Sequence, residues 1–197
     1  MFGYCVRPPD PKIVGKIWRK MWFERLNETP MFLEKWLTHQ LRDETWIHGS
    51  VCENYDKIKI PVLGISGWND CWPNTVIRLL ENIDSPCRVV SGAWAHVFPN
   101  LGGPEPMIGF LQLSLEWWDY WLKGIDNAVM DKPALIAFLQ DSHVPDPNPT
   151  RRPGRWVFEK DWPTQNISTK RFGMKSGSLS EVMSNVAEFV NICSPLS

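Results

Sequence analysis

The sequence predicts an α/β fold, a parallel sheet covered by helices, with a helical piece before it and a β-rich stretch after it. Three observations predict this. Between residues 58 and 124, short apolar runs alternate with amphipathic helical patterns over short connections. The first 48 residues carry two helical stripes and no strand-like run. Beyond residue 131 the helical periodicity gives way to short β-prone stretches among prolines and serines. The expected divisions are therefore 1–48, 49–130 and 131–197.

Each element has a local signature. Asp10 before Pro11 reads as an N-cap with proline at the first helical position. Ile13, Ile17 and Met21 then recur every four residues beside Val14, Trp18 and Trp22, one wide apolar stripe running to about Leu26. Thr29-Pro30 repeats the start signal ahead of Phe32, Leu33, Trp36, Leu37 and Leu41. The pair is a helical hairpin whose stripes must be buried on something. Pro61 to Ser66 is an apolar run fit for a buried parallel strand, followed by a turn at Gly67-Trp68-Asn69-Asp70. Pro73 opens a helix with Val76, Ile77, Leu79, Leu80 and Ile83; Arg88 to Ser91 is the next strand, and a Gly- and Pro-rich loop follows from Gly92 to about Pro106. Gly109 to Lys123 is a strong helix with Leu111, Leu115, Trp118 and Leu122 as its expected apolar face, and Gly124 is placed to end it. Ala134 to Gln140 and Arg155 to Phe158 read as strands around a loop with four prolines. Short strands and turns are expected at 170–172 and 176–184, and 182–192 is ambiguous between helix and strand. The region after 131 reads as strands and turns of a β domain and is too short to close a β-sandwich of about 100 residues.

Composition narrows the function. Lys and Arg number 21 against 22 Asp and Glu, for a formal net charge of -1, with no basic run; nucleic acid is not an expected partner. No apolar stretch reaches the about 18 residues needed to cross a bilayer, and residues 1–12 lack a signal pattern, so no membrane partner and a cytoplasmic setting are expected. The cysteines, Cys5, Cys52, Cys71, Cys87 and Cys193, are scattered with no C-x-x-C pair, so neither a disulfide framework nor a metal site is expected. The sequon at Asn166-Ile167-Ser168 matters only in a secreted protein. Twelve tryptophans suit thick aromatic packing or an aromatic-lined cleft.

The chemistry lies in two loops. Asp70 follows the first strand and His96 the second, which puts both at the C-terminal edge of a parallel sheet. Acid then histidine is the order expected at the end of an α/β-hydrolase sheet, where the carboxylate holds the imidazole tautomer and the imidazole removes the nucleophile's proton. Taken singly, Asp70 is also an ordinary turn residue and His96 an ordinary loop histidine.

Three segments add a resemblance. Gly67-Trp68-Asn69-Asp70, Gly92-Ala93-Trp94-Ala95-His96 and the helix end Trp117 to Gly124 together resemble the cocaine esterase and X-prolyl dipeptidyl-peptidase family of serine hydrolases. In that family a G-W-x-D turn supplies the triad acid, a G-P-W-x-H segment the triad histidine, and a W-x-D-x-x-L-K-G helix end leads into a jelly roll. Arg155-Trp156 and Asp161-Trp162-Pro163 are similar to the opening of that jelly roll, and the hairpin to the tail of the family's cap domain. The resemblance implies Asp70 as acid and His96 as base, no cofactor, and a small acyl ester, amide or short peptide as substrate. It implies the C-terminal part of an α/β-hydrolase sheet, flanked by the end of a cap domain and the start of a β-sandwich. Trp68, Trp72 and Trp94, the aromatics nearest the pair, are candidates for the pocket wall.

The sequence departs from the pattern in two places. Ala93 stands where proline is usual and Cys71 where glycine is common. Cys71 has no visible feature that lowers a thiol pKa, so it is not expected to be the nucleophile. The nucleophile elbow G-x-S-x-G is missing: Gly64-Ile65-Ser66-Gly67-Trp68 comes closest, but tryptophan stands where the sharp turn needs a small residue. The expectation is therefore a fragment or truncated gene product, inactive alone. A non-catalytic binding or assembly module with an aromatic face is the alternative, and a piece that barely folds a third reading. Substrate identity and oligomeric state are not legible.

Overall fold

The computed structural model describes residues 6–175, 177–183 and 189. The chain forms two compact units, Met1–Asn54 and Tyr55–Ser197.

In the first unit the Asp10 carboxylate accepts from the Lys12 N–H at 2.8 Å and caps α1 (Pro11–Val14). The long helix expected to Leu26 is interrupted. Gly15, with φ of 66°, ends α1; a single 3-10 turn at Gly15–Ile17 follows, and α2 (Trp18–Glu28) resumes. Thr29 then turns extended, as a residue before proline must. The second helix is α3 (Phe32–Thr38), followed by α4 (Glu44–His48), capped by Asp43. Five residues are too few to show a stripe, which is why α4 was not legible. Trp18 stacks on Trp22 at 6.1 Å, yet none of these four helices contains a buried residue.

The second unit is built on β1 (Val62–Gly67), α5 (Thr75–Asn82), β2 (Cys87–Gly92), α6 (Phe110–Lys123), β3 (Leu135–Gln140) and β4 (Gly154–Glu159). The four strands form one sheet in the order β1-β2-β3-β4, with β1, β2 and β3 parallel and β4 antiparallel. A separate hairpin pairs β5 (Gly173–Lys175) with β6 (Ser178–Ser180). The sheet thus crosses residue 131, where the sequence reading begins a β-sandwich. The apolar run of β3 explains its place: Leu135, Ala137 and Phe138 are buried, as suits an interior strand of a sheet covered on both faces. The described residues show no jelly roll. The ambiguous segment at 182–192 lies almost wholly outside them.

Successive residues of β2 face opposite ways. Val89 joins Leu80 of α5, Leu135 and Ala137 in the core on one face, with Trp68, Val76, Ile77 and Trp162 packed around it. On the other face Arg88 is buried, donating to the carbonyl of Pro133 at 3.1 and 2.7 Å and to that of Val129. A buried guanidinium is tolerable because backbone oxygens accept its hydrogen bonds.

Helix α6 ends as expected, Gly124 in the left-handed region (φ 68°) donating to the Tyr120 carbonyl at 3.1 Å. Its buried face differs from the expected one. Trp117 is buried with Leu113 and Trp121 beside it, whereas Leu111, Leu115, Trp118 and Leu122 are exposed. The helix is apolar on two sides, and periodicity alone does not choose between them.

Candidate active site

β1 and β2 end in register, Gly67 opposite Gly92, so the loops that follow leave the same sheet edge. Backbone bonds stitch them together. Trp68 N–H donates to the Gly92 carbonyl at 2.9 Å and Asn69 N–H to that of Trp94 at 3.3 Å. The Asn69 side-chain amide donates to the Ala93 carbonyl at 2.8 Å. Asp70 N–H closes the turn on the Gly67 carbonyl at 3.1 Å. Trp94 is buried between the two strand ends and packs on Trp156, 6.3 Å between ring centroids. A Cβ on Gly67 would lie 1.9 Å from the Trp94 carbonyl oxygen, and one on Gly92 would lie 2.1 Å from its indole ring. Only glycine lets the tryptophan lie this close to both strands.

This scaffold brings Asp70 and His96 together. Asp70 Oδ1 accepts from the Trp72 N–H at 3.1 Å, and Oδ2 lies 2.8 Å from His96 Nδ1. A carboxylate can only accept, so Nδ1 donates, and in the neutral ring the lone pair lies on Nε2. The Asp70 side chain is 14% exposed and that of His96 74%. The hydrogen bond from His96 holds the Asp70 carboxyl below its ordinary value; partial burial opposes this, and the Trp72 N–H and the Cys71 thiol add to it. Burial, and then the Asp70 carboxylate, push the Cys71 thiol up.

The pair opens on a cleft of about 360 Å³ whose wall includes Ser66, Trp94, Val97, Phe98 and Phe110. Among the described residues, the His96 ring makes no hydrogen bond except that with Asp70. Ser66 stands on β1 in this wall, on the strand that leads to Asp70.

The three candidate tryptophans separate. Trp94 forms part of the cleft wall. Trp72 is exposed and meets the His96 ring edge-on at 5.6 Å. Trp68 turns the other way: its indole N–H donates to the Phe138 carbonyl at 2.7 Å, and it lines a second cleft with Ala137 and Val157. Sequence reasoning missed Asn69, the cross-loop tie, and the apolar wall of Phe98 and Phe110, 5.8 Å apart. An asparagine beside the turn acid was a usable signal for the first; nothing in the spacing pointed to the second. It also missed that Asp70, Cys71 and His96 each offer a ligand atom within 4.8 Å of the others.

A model of the X-Pro dipeptidyl-peptidase (S15) family matches residues 6–98, a span that includes both loops. Over those residues the chain is S15-like. This is the family that the motifs resemble. Two crystal structures of a CocE/NonD family hydrolase from Staphylococcus aureus share the fold, with TM-scores of 0.60 and 0.59 at 16% and 15% identity. The matches cover 85% and 90% of this chain but only 29% and 30% of theirs. The chain thus spans less than a third of the length of those hydrolases. No curated protein sequence matches it. Among the described residues, no helix is long and apolar enough to cross a membrane.

Proposed function

We propose that this chain carries the acid and the base of a serine hydrolase, Asp70 and His96, and works with a nucleophile outside the residues described. The 2.8 Å contact between Asp70 Oδ2 and His96 Nδ1 supports this reading above all else. Asp70 fixes the imidazole tautomer and stabilises the imidazolium. Nε2 takes the proton of the attacking hydroxyl and returns it to the leaving alcohol or amine. The reaction is hydrolysis of an acyl ester or amide through an acyl-enzyme, of esterase, acylase or dipeptidyl-peptidase type. The S15 match and the hydrolase-like fold support that class. Trp94, Phe98 and Phe110 give the cleft a mostly apolar wall, suited to a compact acyl group.

On this reading the isolated 197-residue chain shows little or no turnover, since the roughly 10³- to 10⁴-fold acceleration left without a complete triad needs an intact oxyanion hole. The test is an assay of the purified chain and its His96→Ala variant on an activated acyl ester. Background rates in both are expected. Robust turnover that vanishes in the variant would place the nucleophile inside this chain and overturn that part of the reading.

A further inference from the structure

We propose that Asp70, Cys71 and His96 form a three-ligand site for a thiophilic divalent cation, zinc above all, which binds in place of the hydrogen bond between Asp70 and His96. A carboxylate oxygen, a sulfur and an imidazole nitrogen lie within 4.8 Å of one another. Tetrahedral zinc, with bonds of about 2.0–2.3 Å, sets neighbouring ligand atoms roughly 3.3–3.8 Å apart. Accommodating an ion therefore opens the 2.8 Å contact between Asp70 and His96 by about 0.5 Å and draws in the ligand atoms farthest apart by at most about 1–1.5 Å. Carboxylate, thiolate and neutral imidazole together carry two negative charges, which balance a divalent cation. Three protein ligands leave the fourth tetrahedral position open to water. Cys71 and His96 are exposed, so an ion reaches the site without opening the fold. The mixed O, S and N donor set suits zinc or cobalt; magnesium and calcium want oxygen alone.

Binding forms one bond from the metal to each ligand atom and expels the Cys71 thiol proton to solvent. The site was invisible in the spacing of the cysteines because its ligands come from two loops joined by the sheet. Inhibition of hydrolysis by the ion rests on the function proposed above; binding does not.

The test is titration of the reduced 197-residue chain with Co²⁺, followed through the thiolate-to-cobalt charge-transfer band in the near ultraviolet. One equivalent should saturate the band. Cys71→Ser should abolish it, His96→Ala should weaken binding at least about tenfold, and one equivalent of Zn²⁺ should bleach it, while excess Mg²⁺ leaves it unchanged. Absence of the band, or a band undiminished in Cys71→Ser, would overturn the proposal. Cys71 is exposed in a turn, so its serine variant keeps the fold, and His96→Ala gives a second check free of the thiol. No step of this experiment reads turnover, so its failure leaves the Asp70–His96 pairing standing.

Discussion

Gly67→Ala tests whether the strand ends aim the two loops. The new Cβ would lie 1.9 Å from the Trp94 carbonyl oxygen and 2.5 Å from its Cδ1, whereas ordinary contact begins at 3.4 Å. The two segments must therefore part by about 1.5 Å, the shortfall between ordinary contact and the Cβ position. Trp94 cannot yield cheaply, being buried against Trp156, and the atom it opposes to the methyl is backbone. Half of that displacement along the Asp70–His96 bond would stretch 2.8 Å to about 3.5 Å, the limit of a hydrogen bond. Overpacking of this kind costs about 1–3 kcal/mol. At about 2–4 °C per kcal/mol for a chain this long, the melting temperature should fall by about 2–12 °C. Thermal denaturation followed by circular dichroism reads the stability, and the imidazole resonances of His96 read the hydrogen bond. Gly49→Ala is the control, since its Cβ would meet nothing closer than 3.9 Å. An alanine variant at 67 with the parental melting temperature and an unshifted His96 would show that the close approach of Trp94 to Gly67 does not aim the two loops.

Three further predictions follow from the same structure. Arg88→Met leaves the buried carbonyl of Val129 and the part-buried carbonyl of Pro133 without their donors and should cost about 1.5–3 kcal/mol in chemical denaturation; an unchanged midpoint would show the guanidinium to be dispensable. Burial pushes the Cys87 thiol up to about 11, so residue-resolved alkylation near neutral pH should find it at least about tenfold slower than an ordinary thiol, the smaller thiolate fraction outweighing its greater nucleophilicity; equal rates would contradict its partial burial. The Asp70 carboxyl is depressed in the folded chain, so the stability it contributes is present above the ordinary carboxylate value, about 3.9, and is lost as pH falls through its lower folded value. The stability advantage over Asp70→Asn should shrink with acidification in that range, and an advantage independent of pH would deny the linkage.

The parts of the fold that were legible are those where one pattern admits one structure. The run Pro61 to Ser66 and the stretch Arg88 to Ser91 became adjacent parallel strands because short apolar runs between turn residues have few other uses. Acid and histidine were legible because each stood just past such a strand. Other features depended on tertiary choices. The apolar residues of α6 cover two sides, and packing against the sheet selected Trp117. The strand at Leu135–Gln140 could serve a sandwich or a parallel sheet, and only its pairing with β2 decides. Gly15 lay inside a convincing stripe, where a helix-interrupting φ leaves no periodic trace. The place of Cys71 beside both Asp70 and His96 required the two loops to be folded together first.

The most direct measurement is the nitrogen-resolved NMR spectrum of the His96 imidazole in the native chain and in Asp70→Ala. A protonated Nδ1 with a strongly downfield proton is expected, with loss or an upfield move of that signal when the carboxylate is removed. The same Nδ1 resonance in both proteins would mean that the two side chains do not meet in solution.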